Sequence, residues 1–212
     1  APALAPAAGG HGVHLEDANI DLADQASLQR GAKYFVNYCM GCHSLQYMRY
    51  NRMAADIGID EVELRQNLIL DGSKPGDLMT NAMRPEDGEK WFGTAVPDLT
   101  LVTRWRSPDW LYTYLKTFYT DTARPYGVNN LVFPDVGMPH VLAPLQGVQN
   151  PVFEEKEGPD GEMVKQVVGI EPAQGGTMTA EAYDEMVRDL TNFLTYAGEP
   201  MKLERQRLGI YV

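Results

Sequence analysis

Apolar residues recur at helical spacing near both ends of the chain. Close to the start, Leu28, Ala32, Phe35, Val36 and Cys39 share one helical face, with Ser27 as the expected N-cap. Close to the end, Tyr183, Met186, Val187, Leu190, Phe193, Leu194 and Ala197 form one long stripe. Thr179 caps that helix, Glu181 sits in its first turn and Gly198 stops it. Between them, Asp60 opens a helix over about 60–70, with Val62, Leu64, Leu68 and Ile69 as its apolar positions. The triplet Ser107-Pro108-Asp109 supplies an N-cap, a first-turn proline and a first-turn acid, and so predicts an aromatic helix over 110–119. Residues 152–170 predict a hairpin turning at Gly158–Gly161. Residues 71–99 and 121–151 are punctuated by Gly and Pro and predict loops; so long an irregular stretch as 121–151 implies a task. Residues 1–23 read as an extended arm. The pattern is mainly α, without internal repeats, and the two terminal helices are expected to pack on each other around whatever the cysteines hold.

Composition changes this picture little. The 212 residues are enough for a core without staples, and 44% apolar with 22% charged is ordinary for a globular protein. The net charge of −11 argues against a polyanion such as nucleic acid as partner. It suits a basic protein, or serves solubility alone. The opening run of Ala, Pro and Gly resembles sequence left near a signal-peptidase site and predicts export. No apolar run is long enough to span a bilayer. Lys202, Arg205 and Arg207 precede an apolar ending, Leu208 to Val212, read either as a plain tail or as the start of a membrane segment.

The candidate chemistry lies in Asn37-Tyr38-Cys39-Met40-Gly41-Cys42-His43-Ser44, which holds both cysteines of the chain. A disulfide closing so short a loop would remove little chain entropy. Zinc wants further ligands, and none are suitably spaced. A redox dithiol belongs after a strand in a βαβ unit, which the pattern does not contain. His43 directly after Cys42 completes Cys-x-x-Cys-His, the attachment motif of a c-type haem. The thiols add to the two vinyl groups and the imidazole binds iron.

The second axial position decides the chemistry. Met48, Met53, Met79 and Met83 are possible on distance; Met186 belongs to a helix stripe. Met138 stands between Gly137, which permits close approach, and the stiff Pro139. His140 is its rival. The haem propionates call for arginine, and Arg104 and Arg106 precede the aromatic helix. Trp110, Tyr114 and Leu115 either wall the pocket or are plain core.

Taken together, Cys39–Ser44, Pro97-Asp98-Leu99 with Arg104 and Arg106, Asp109-Trp110-Leu111-Tyr112, Val136-Gly137-Met138-Pro139 and Ala197-Gly198-Glu199-Pro200 resemble the cytochrome c1 family. The resemblance runs from about residue 19 to the end. It implies a mainly α, cytochrome c-like haem domain over 24–200, with long irregular loops and the 152–170 hairpin as an insertion. It implies one haem c on Cys39 and Cys42, with His43 and Met138 as iron ligands. Arg106 matches the propionate-binding arginine better than Arg104 does. Pro97, Trp110, Leu115 and Phe133 match pocket positions, Trp110 standing where the family usually has Tyr. A C-terminal transmembrane helix is implied, so 201–212 is expected to begin a membrane anchor, although its basic residues then lie on the exported side. The implied function is one-electron relay, without chemistry on a substrate, in the quinol–cytochrome c reductase complex. The electron comes from the Rieske iron–sulfur protein and goes to a c-type cytochrome, beside a cytochrome b subunit, on the periplasmic side of a bacterial inner membrane. Glu154, Glu155, Glu157, Asp160 and Glu162 are candidates to steer a basic cytochrome. The competing classes are a haem enzyme or ligand sensor with an open sixth position, and a thiol oxidoreductase without haem.

Overall fold

The structure is a computed structural model and describes residues 13–157 and 163–209, with the backbone alone for 156, 157 and 164. Helix α1 spans Gln25–Tyr34 and is capped by Asp24, whose carboxylate accepts from the Ser27 N–H at 3.0 Å. The expected cap at Ser27 is thereby corrected. A carboxylate is the stronger partner for the positive end of a helix, and Ser27 is buried inside, its hydroxyl accepting from Asn192 Nδ2. The chain then widens into a π turn over Phe35–Cys39.

Strand β1 (Leu45–Arg49) leads into α2 (Tyr50–Ile57), which Gly58 ends at φ 74°. Helix α3 (Glu61–Asn67) is capped by Asp60 as expected. Leu64 and Leu68 are buried, but Val62 is exposed. Strand β2 (Leu78–Met79) pairs antiparallel with β1. Inside the expected 71–99 loop lies another helix, α4 (Pro85–Phe92), with a first-turn proline and the acids Glu86 and Asp87. Helix α5 (Val102–Trp105) precedes α6 (Pro108–Lys116), where the Ser107 hydroxyl accepts from the Trp110 N–H. Helix α6 stops at Lys116, earlier than the aromatic run suggested. Phe118–Thr120 forms strand β3, paired antiparallel with β4 (Val128–Asn130). There follow α7 (Ala143–Gln146), β5 (Gly147–Val148), and the hairpin β6 (Pro151–Glu157) with β7 (Met163–Ile170). The Gly158–Gly161 turn lies outside the described residues. Strand β8 (Gln174–Gly175) pairs with β5. Helix α8 (Ala180–Gly198) is capped by Thr179, and α9 spans Lys202–Gly209. Among the described residues, no helix is long and apolar enough to cross a membrane.

The terminal helices pack as their stripes predict. A methyl group built on Gly31 would stand 2.6 Å from Phe193 Cβ and closer still to the Asp189 carbonyl oxygen, so α1 and α8 cross almost backbone to backbone. Phe35 and Phe193 meet at 5.8 Å between ring centroids, and Arg30 grips Asp189 with two bonds of 2.6 and 2.9 Å. Around this pair sit Leu28, Met53, Leu111, Met186 and Leu190, all buried. The arm is anchored too. Asp109 accepts from the Ala18 N–H, and Asn192 donates to the Asp21 carbonyl.

Candidate functional site

The π turn delivers the cysteine motif. The Cys39 carbonyl accepts from the N–H groups of both Cys42 (3.0 Å) and His43 (2.8 Å), which folds the motif into one tight turn. Both thiols are free. Burial pushes the Cys39 thiol up to about 12, so it stays protonated, which disfavours a reactive dithiol. His43 is buried, and its Nδ1 lies 2.8 Å from the Pro97 carbonyl oxygen. A carbonyl only accepts, so Nδ1 bears the hydrogen and Nε2 keeps its lone pair for a metal. Burial also holds the imidazole below its usual range, favouring the neutral ring.

Cys39, Cys42, His43 and Pro97 share an apolar cleft with Gly137, Met138 and Pro139. The structure thus brings together the residues expected on both sides of an iron. A larger polar groove between the arm, α1 and α8 contains none of them. Gly137 is where close approach is required, for a methyl there would stand 2.9 Å from the Phe92 carbonyl oxygen.

The loop holding Met138 is built on two asparagines that periodicity does not reveal. Asn130 is fully buried. Its Oδ1 accepts from the N–H groups of Val132 (2.9 Å) and Phe133 (3.1 Å), and its Nδ2 donates to the Tyr114 carbonyl at 2.8 Å. Asn129 Oδ1 accepts from the Asn130 and Asp135 N–H groups. The Tyr114 hydroxyl lies 3.4 Å from Met138 Sδ. An Asn pair two residues after Gly127 and just ahead of Leu131-Val132-Phe133 is a turn signal, the one hint the sequence offered.

The aromatic helix contributes a second cluster. The Arg106 guanidinium lies over Trp105, Trp110 and Phe133 at 4.2, 4.8 and 5.5 Å, and no carboxylate among the described residues pairs with it. Arg104, by contrast, is taken by Glu199 at 3.1 Å. Trp110 Nε1 is buried without a partner among the described residues. Leu115 is buried but does not line the cleft. Of the rival ligands, Met48, Met53 and Met79 are core, and Met83 lines a separate pocket beside Cys42. His140 lies flat on Phe118 at 4.7 Å and is absent from the cleft wall.

These residues fit a haem. Paired thiols and an imidazole with a directed lone pair face the same apolar space as a thioether. An orphaned indole N–H and an unpaired guanidinium offer donors of the kind that buried propionates need. The profile of the Cytochrome C1 family matches residues 16–212. The chain belongs to that family. It is 65% identical over its whole length to a protein named cytochrome c1 from Allochromatium vinosum, covering 86% of that protein. It is 50% identical over 96% of its length to one named ammonia monooxygenase gamma subunit from Nitrosomonas europaea, covering 81% of it. To cytochrome c1 of Blastochloris viridis it is 27% identical over 98% of its length, covering 82%. The chain is therefore the haem-bearing electron-transfer subunit of the membrane-associated cytochrome bc1 complex of a respiratory chain, with one covalently bound haem c, and is not an enzyme on its own.

Proposed function

We propose that Cys39 and Cys42 hold the haem through thioether bonds, that His43 Nε2 and Met138 Sδ take the axial positions, and that Arg106 and Trp110 receive a propionate. Bound haem supplies a one-electron iron couple. The observation behind this reading is the His43–Pro97 bond, which aims an imidazole lone pair into the cleft that Met138 also lines. Pro97 fixes the ring's orientation and tautomer, the apolar wall limits water, and the thioether favours the reduced state. Arg106, free of a carboxylate, suits a propionate better than Arg104 does. On this reading residues 24–200 are the haem domain; of the arm expected over 1–23, residues 1–12 lie outside the described residues.

The same reading places the site on the periplasmic side of a bacterial inner membrane, beside cytochrome b. There it receives an electron from the Rieske iron–sulfur protein and passes it to a c-type cytochrome. The net charge of −11 suits a basic acceptor. On the hairpin, Glu154 and Glu155 are exposed. Asp160, Glu162 and the Glu157 side chain lie outside the described residues. Spectra of Met138→Leu and Met138→His in both redox states test the ligand set. The weak near-infrared sulfur-to-iron band is expected in the wild type and lost in both variants. Rapid carbon monoxide binding by the reduced wild type would instead favour an open sixth position. Electron transfer to the acceptor should slow as salt rises; a rate indifferent to ionic strength counts against steering.

A further inference from the structure

The Tyr114 side chain is held from three directions. Its ring stacks on Trp110 at 5.0 Å and 9°, and meets Phe118 edge-on at 5.1 Å and 69°. Its own carbonyl is tied by Asn130 to the loop that ends in Met138. The ring therefore has little freedom, and its buried hydroxyl reaches Met138 Sδ at 3.4 Å. This distance is a hydrogen bond for sulfur, and Sδ is the acceptor the structure gives this hydroxyl.

We propose that Tyr114 is a positioning residue for the thioether: its hydroxyl donates to the Met138 sulfur, fixing which lone pair is free for iron and raising the reduction potential. The inference rests on Met138 being the axial ligand. A thioether sulfur has two lone pairs, and a metal uses one. The hydroxyl occupies the other, so the sulfur cannot rotate without stranding a buried donor. A donor on sulfur also draws electron density away from it. Ferric iron asks more of its ligands than ferrous iron does, so the bond weakens the ferric state more and favours the reduced one.

The test is Tyr114→Phe, which keeps the ring and its stacking and deletes the hydroxyl. The potential of the holoprotein is measured together with its sulfur-to-iron band. A hydrogen bond of about 1 kcal/mol felt in one redox state alone shifts the one-electron equilibrium about fivefold. At about 59 mV per tenfold, that is a fall of roughly 40 mV. A displaced band should accompany the fall, and denaturant should release the sulfur at a lower concentration than in the wild type. Tyr114→Leu removes ring and hydroxyl together. If packing alone matters, Tyr114→Phe leaves potential and band unchanged while Tyr114→Leu alters them, and the inference is overturned. A wild type without the band would instead remove Met138 as ligand, a different failure.

Discussion

Asn130 is where the architecture of the site is most exposed to a single change. It is fully buried, and its Oδ1 is the acceptor for the Val132 and Phe133 N–H groups. Replacing it by Ala strands both amides. The Tyr114 carbonyl keeps a second donor in the Thr117 N–H at 3.3 Å, so its loss is small. A buried amide without a partner costs about 1–3 kcal/mol, and Phe133 is half-buried, which puts its amide at the low end. The expected destabilisation is about 2–4 kcal/mol, large for one side chain. Denaturant titration of the holoprotein, followed by far-ultraviolet dichroism and by the sulfur-to-iron band, measures it. The global midpoint should fall with an unchanged slope. The band should disappear at a lower denaturant concentration than the helices do, because two severed bonds fold the start of the Met138 loop and the third ties it to α6. An Asn130→Ala protein within about 0.5 kcal/mol of the wild type, its band and helices melting together, would refute the reasoning.

Two more outcomes follow from the packing. Gly31→Ala drives a methyl into the backbone of α8, which lacks a flexible side chain to yield. Overpacking of about 3 kcal/mol should lower the melting temperature of the holoprotein by roughly 6–12 °C, and an unchanged melt would show that the helices separate freely. Asp184 answers to pH. Burial pushes its carboxyl up, but hydrogen bonds from Lys116 and Tyr112 and the charges of Lys116 and Arg188 outweigh burial and hold it below the usual carboxylate range. A folded value below the unfolded one means that its contribution is complete above about pH 4 and fades as pH falls through the lowered folded value. Asp184→Asn should therefore flatten the acid limb of a stability–pH curve, and an identical limb would count against this role.

What the sequence disclosed was local chemistry. Caps such as Thr179, Ser107 and Asp60 act on amides two or three residues ahead, and all three are found in place. Ser27 misled because two capping residues lie three apart and the acid prevails. Helix α4 stayed hidden because its large apolar residues, Trp91 and Phe92, are neighbours at one end and trace no stripe. Of the candidate site, the Cys39–His43 motif and Met138, which share the cleft, were legible, while Arg106 was preferred to Arg104 by the resemblance alone. The Pro97 carbonyl on His43, the Asn130 junction and the Tyr114 hydroxyl on sulfur were not. Each joins residues distant in the chain or turns on a single atom, and hydrophobic periodicity encodes neither.

The widened turn at Phe35–Cys39 reconciles two incompatible phases. Upstream, Gly31 and Arg30 lock α1 against α8 in one orientation. Downstream, Cys39 and His43 must look into the cleft. An ordinary α-helix advances about 100° per residue and offers no slack between such demands. The surplus residue of the π turn is that slack. Rewinding the same residues into plain α-helix would carry the first thiol about 100° round the axis, away from the space it now faces, whereas deleting one residue from 35–38 along with the π turn would restore its direction.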